Sequence, residues 1–238
     1  MKRIIKNTPP AQFEQWKIDF RSGSEQPLET LYLSETMTGN KLWELFPSAK
    51  LADENKIDGF FDYSKEELRT ELLKEQGYIC CYCNQKIQDS DTVLEHFKPK
   101  GLYLHLTFDY QNILASCQGE QKKPKPREVH CDARRLEGEE LPFSPLDTDC
   151  ERHFDFTIDG QILPLSPQAE TFVNKLGLDI TKLDDLRASY IKDYVYENPF
   201  SKEFVSVDKA KQKIEELKQM QHASFVPFCI AIIKVLER

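Results

Sequence analysis

From Ser64 onward the apolar positions fall into short periodic blocks separated by capping and breaking residues. Ser64 with Glu67 three residues later is a capping box, Leu68 and Leu72 share one helical face, and Gly77 suits a left-handed stop. A helix is expected over about 65–76, delivering the chain into the turn Cys80-Cys81-Tyr82-Cys83. Thr92 to Phe97, with Val93, Leu94 and Phe97 apolar, reads as a short strand carrying Glu95-His96 near its end, and Lys98-Pro99-Lys100-Gly101 then breaks regular structure. Asp109 can cap a helix through Tyr110, Asn112, Ile113, Leu114 and Ala115 toward Cys117, after which a Lys- and Pro-rich loop ends at His130-Cys131.

In the last third, Ser166-Pro167 supplies an N-cap and a first-turn proline, and Gly177 stops that helix. Thr181 can cap the next, with Leu183, Leu186, Tyr190 and Tyr194 on one face until Asn198-Pro199; stretches at about 207–220 and 224–237 complete the chain. Residues 1–63 mix Phe13, Trp16, Phe20, Trp43, Phe46, Phe60 and Phe61 with polar connections and show no repeat or motif. They read as an extension packed on the core or on a partner. The expected class is α+β, mainly helical, with an N-terminal extension (1–63), a core (64–165) and a C-terminal helical region (166–238).

Composition changes this picture little. With 39% hydrophobic and 30% charged residues over 238 positions the chain can bury a sizeable core. No apolar run is long enough for a membrane span and no secretory h-region follows Met1, so a cytoplasmic protein with no membrane partner is expected. Charge says more. A net charge of -8 opposes tight binding of nucleic acid by the chain alone. Yet between Lys98 and Arg135 eight basic residues (Lys98, Lys100, Lys122, Lys123, Lys125, Arg127, Arg134, Arg135) face four acidic ones (Asp109, Glu120, Glu128, Asp132), a local balance of +4. The prolines of the Lys122-Lys123-Pro124-Lys125-Pro126-Arg127 run keep it extended, suited to a phosphate backbone or equally to a solvated loop.

Seven cysteines in a reducing compartment point to metal ahead of disulfides, since an odd number cannot all pair. Cys80 and Cys83 have the C-x2-C spacing of a zinc knuckle, and Cys117 and Cys131 can close a four-thiolate structural zinc site. Two alternatives stay open: His130 in place of Cys131, and Cys81 in place of Cys80. Cys150-x2-His153 has similar spacing but lacks a second pair, Cys229 sits in an apolar run as a buried thiol, and the tyrosines of the 182–197 helix read as core or interface.

Phosphodiester hydrolysis needs a base near neutral pH and a hard cation that offsets developing charge. Histidine suits the first task, and a neighbouring carboxylate the second. Glu95-His96 places the two on opposite sides of a strand, so one can face the metal while the other faces the water.

The order Cys80/Cys83, Glu95-His96, Asn112, Cys117 and Cys131-Asp132 resembles the HNH endonuclease motif. The resemblance implies a small ββα-metal core with a zinc knuckle, His96 as general base, Asn112 as the brace of the loop that carries it, and Glu95 with Asp132 as ligands of Mg²⁺ or Mn²⁺. The third motif position departs from the usual His or Asn: Asp132 is favoured there because carboxylate oxygen suits a hard cation, and His130 is the alternative ligand. "LLKEQGYICCYC", "LEHFKPKGLYLHLTFDYQNILASCQG" and "HCD" further resemble the nuclease subunit (PtuB) of Septu-type antiphage defence systems, some of which accompany retrons. That likeness implies a role in antiviral defence, cleavage of DNA or RNA, and an ATPase partner of the PtuA type. A zinc-stabilised adaptor that binds nucleic acid or the ATPase without catalysis is the rival reading.

Overall fold

A computed structural model describes residues 1–23, 28–46, 63–120, 128–198, 200 and 202–238. Phe60, Phe61 and the basic run 122–127 lie outside the described residues. Among the described residues three helices come first: α1 (Ala11–Gly23), α2 (Leu28–Tyr32) and α3 (Gly39–Glu44). Helix α4 (Lys65–Glu75) precedes an antiparallel pair, β1 (Thr92–His96) and β2 (Ile113–Cys117), and a second pair follows, β3 (Phe154–Phe156) and β4 (Ile162–Pro164). Helices α5 (Pro167–Leu176), α6 (Thr181–Val195), α7 (Val207–Leu217) and α8 (Cys229–Leu236) end the chain. The class is α+β, and among the described residues no helix is long and apolar enough to cross a membrane.

The capping chemistry sets α4 and α5 as expected. Ser64 accepts from the Glu67 amide while the Glu67 carboxylate accepts from the Ser64 amide at 2.7 Å, and Leu68, Leu72 and Leu73 turn inward. Ser166 accepts from the Ala169 amide, Pro167 opens α5, and Gly177 closes it at φ 58°.

Elsewhere the elements differ from expectation. The helix expected from Tyr110 to Cys117 is a single 3-10 turn over Tyr110–Asn112, where Asp109 accepts from the Gln111 amide, followed by β2. All five residues of β2 are buried, so the segment has no polar face to give a helix, and its backbone pairs with β1 from Thr92↔Cys117 to His96↔Ile113. In α6 the inward face is Leu183, Arg187, Ala188, Ile191 and Val195, with Leu186 exposed and Ile180, not Thr181, at the cap. The face is rotated because it is built around a charge: the Arg187 guanidinium donates to the Gly160 carbonyl at 2.6 Å and the Leu178 carbonyl at 2.8 Å. Helix α8 starts at Cys229 instead of 224, after Pro227 and a left-handed Phe228 (φ 57°), while the Phe225 amide donates to the Gly77 carbonyl.

The described part of the N-terminal extension packs on the core. Phe13, Trp16 and Phe46 meet Tyr63, Phe108 and Tyr110, with Trp16 centred 4.6 Å from Phe46 and 5.0 Å from Phe108. Buried side chains from Met1 to Ile233 form one contiguous cluster, and this places α3 against the loop that follows β1.

Candidate active site and cysteine cluster

The turn after α4 presents its thiols because its backbone is tied at both ends. The Cys80 amide donates to Gln85 O and the Cys81 amide to Ala115 O of β2, while Asn84 takes a left-handed conformation at φ 63°. Cys117, at the end of β2, and Cys131 complete the set. The ligand atoms of Cys80, Cys83, Cys117 and Cys131 all lie within 4.8 Å of one another, and all four residues are buried. Two of the separations, Cys80 Sγ to Cys131 Sγ at 3.8 Å and Cys83 Sγ to Cys117 Sγ at 3.9 Å, equal the edge of about 3.8 Å that Zn–S bonds of about 2.3 Å give a tetrahedron. The donor set fits a thiophilic metal such as zinc. Burial pushes the Cys80 thiol up, but hydrogen bonds from Cys117 and Cys131 outweigh it and hold Cys80 well below the usual thiol range.

Cys81 and His130 stand outside this group. His130 Nδ1 bonds the Glu128 carbonyl at 2.7 Å, and its ring lies beside Cys117. The approach of this segment requires Gly119: a Cβ there would lie 1.9 Å from the His130 carbonyl oxygen. Cys150 donates to the Pro145 carbonyl and His153 stacks on Phe143 at 3.9 Å, and among the described residues that pair joins no group of candidate metal ligands; Cys229 is buried, as its apolar run implies.

Glu95 and His96 lie at the far end of the same hairpin. With Asp132, Lys100 and Arg135 they line an open cleft of about 310 Å³. His130 is not among the lining residues, so it is Asp132 that the chain brings to Glu95 and His96. His96 is buried, and its Nε2 lies 2.9 Å from the Thr107 carbonyl oxygen. A carbonyl only accepts, so Nε2 carries the proton and Nδ1 keeps a free lone pair. Burial, then the Lys100 charge, holds this imidazole down to about 4, neutral at pH 7. Asn112 closes the loop after β1 from both sides, accepting from the Lys98 amide at 2.7 Å and donating to the Lys98 and Leu106 carbonyls at 3.0 and 3.2 Å.

Glu95 is more constrained than the spacing suggests. Its Oε1 accepts from Tyr82 Oη at 2.7 Å and from Arg135 Nη1 at 2.6 Å, and the Asp132 carboxyl stands within hydrogen-bonding reach. Burial, then Asp132, pushes Glu95 up to about 8 against the pull of Arg135. Two carboxylates held this close, one of them buried, need a proton or a cation between them, and oxygen donors of this kind fit a hard divalent ion. Arg135 also donates to the carbonyls of His96 (3.1 Å), Phe97 (2.7 Å) and Glu139 (2.6 Å). Neither Arg135 nor Tyr82 is marked by any spacing rule; in the sequence Arg135 is one more basic residue of a positive stretch. Trp43 of α3 meets the His96 ring at right angles with centroids 4.6 Å apart, again with no sequence signal.

Compared with protein-family models, the chain matches none. Among curated proteins it is 28% identical over 146 residues to a candidate HNH endonuclease of retron Vc95 from Vibrio cholerae serotype O1 biovar El Tor, a span of 57% of this chain and 69% of that protein. It is 31% identical over 72 residues to the Septu protein PtuB of Bacillus thuringiensis, 29% of this chain and 28% of that protein. The chain resembles the HNH nucleases of Septu and retron systems.

Proposed function

We propose, from this resemblance and from the cleft, that the chain is an HNH-type metal-dependent nuclease of antiphage defence that hydrolyses phosphodiester bonds in DNA or RNA. The observation that supports it is the convergence of a neutral buried histidine with two facing carboxylates in one cleft, on a hairpin whose other end carries the cysteine cluster. His96 takes a proton from the attacking water at Nδ1, since Nε2 is committed to Thr107. Glu95 and Asp132 hold Mg²⁺ or Mn²⁺, which supplies a Lewis acid against charge developing on the phosphate. Asn112 braces the loop that carries His96, and Arg135 with Tyr82 fixes the carboxylate of Glu95. The four cysteines hold a structural zinc.

The acidic net charge and the few basic residues beside the cleft give a poor hold on a polyanion. The working form is therefore a complex in which an ATPase subunit of the PtuA type supplies the nucleic-acid groove. The test is cleavage of plasmid DNA and of total tRNA with Mg²⁺ or Mn²⁺ by wild type and His96→Ala, each alone and co-expressed with the ATPase. Wild type in complex should cleave, and His96→Ala should not, with zinc content unchanged. Equal cleavage by both would remove His96 as the base, and no cleavage by either would return the chain to the adaptor reading.

A further inference from the structure

The hydrogen bond from Nε2 to Thr107 restrains rotation of the His96 ring about its Cβ–Cγ bond but leaves it room to rock, and a second contact narrows the direction of the Nδ1 lone pair. Helix α3 supplies it. Thr38 caps this helix by accepting from the Lys41 amide, and Gly39 opens it hard against the loop after β1: a Cβ at Gly39 would lie 2.4 Å from the Lys100 carbonyl oxygen. Trp43 lies one turn on, on the same face, and so reaches His96. Its ring stands at 90° to the imidazole with 4.6 Å between centroids, close packing for an aromatic pair.

Trp43 is itself held on several sides. Phe108 stacks on it at 5.9 Å, Phe46 tilts against it at 5.4 Å, and the Lys65 ammonium lies 5.1 Å from its centroid. These contacts hold the half-buried indole in place. Its contact with the imidazole is the one that bears on the cleft.

We propose that Trp43 is a positioning residue for the nuclease reaction, a wall donated by the N-terminal region that sets the plane of the His96 ring and so the aim of Nδ1. The inference rests on the nuclease reading for its kinetic consequence, but its structural claim can be measured separately. The experiment records imidazole ¹⁵N NMR spectra of the full-length, zinc-loaded protein for wild type, Trp43→Ala, Trp43→Leu and Trp43→Phe, alongside single-turnover cleavage by the complex.

Wild type and Trp43→Phe should show one His96 tautomer with a slowly exchanging Nε2 proton. Trp43→Ala and Trp43→Leu should lose that signal. They should also cleave about 10- to 100-fold more slowly with substrate affinity unchanged, the size expected of a misaimed group. Trp43→Leu keeps an apolar side chain, leaves a smaller void than alanine, and serves if the alanine variant does not fold. A folded Trp43→Leu that retains both the protected Nε2 proton and the wild-type rate overturns the proposal. If wild type cleaves nothing, the nuclease reading falls and the spectra alone decide the role of Trp43.

Discussion

Truncating Arg135 to alanine tests how the cleft is held together. The guanidinium is nearly enclosed, as is Glu95, with side chains 6% exposed each, and it spends its donors on the Glu95 carboxylate and on the carbonyls of His96, Phe97 and Glu139. Removing one partner of a buried pair costs about 3–5 kcal/mol, because the other charge is left without compensation. Here Glu95 can shed that charge by taking a proton, since its carboxyl is already pushed up to about 8, so the low end of the range applies, about 3 kcal/mol. For a chain of this size each kcal/mol moves the melting midpoint by roughly 2–4 °C, giving a fall of about 6–12 °C. Circular dichroism melts of the zinc-loaded protein measure it. Arg135→Lys should recover only part, because an ammonium keeps the charge but cannot reach carboxylate and carbonyls together. Melting of Arg135→Ala within about 2 °C of wild type, with cleavage intact, would refute the argument that this one side chain ties Glu95 to the loops on either side.

Two further outcomes follow from the same geometry. Elemental analysis should find one zinc per chain, and Cys83→Ser or strong chelation should unfold the core, since structural zinc contributes on the order of 10 kcal/mol to folding; a well-folded protein free of zinc would contradict this. Asn112→Ala leaves the Lys98 and Leu106 carbonyls and the Lys98 amide without their partner, so urea denaturation should show a loss of about 2–3 kcal/mol with weakened cleavage, and unchanged stability would remove Asn112 as the brace.

Local chemistry was legible in the sequence wherever a residue acts on its own neighbourhood. The Ser64 capping box, the Ser166-Pro167 start and the Gly177 stop work within a few residues, and so do the caps observed. The Cys80–Cys83 turn was legible because thiolate spacing is a short-range property. What escaped depends on partners distant in the chain. The segment Ile113–Cys117 has no polar alternation, so only its pairing with β1 decides that it is a strand. Arg187 carries a charge, which apolar periodicity assigns to the outer face of α6, whereas the Gly160 and Leu178 carbonyls and the Asp184 carboxylate make its burial tolerable. Arg135 and Trp43 reach the cleft across 40 and 53 residues of chain, which no periodicity records.

The β1–β2 hairpin has His96 opposite Ile113 at one end and Thr92 opposite Cys117 at the other, four residues apart, or about 13 Å. It works as a rigid ruler between the sulfur cluster and the cleft. If the cysteines hold a metal as proposed, a freshly synthesised chain that has not yet captured it would lack the anchor at one end of that ruler, and with it the scaffold for His96 at the other. On the proposed nuclease reading, loading of the cysteines would then act as a maturation checkpoint, with metal supply setting the earliest moment at which the cleft can work.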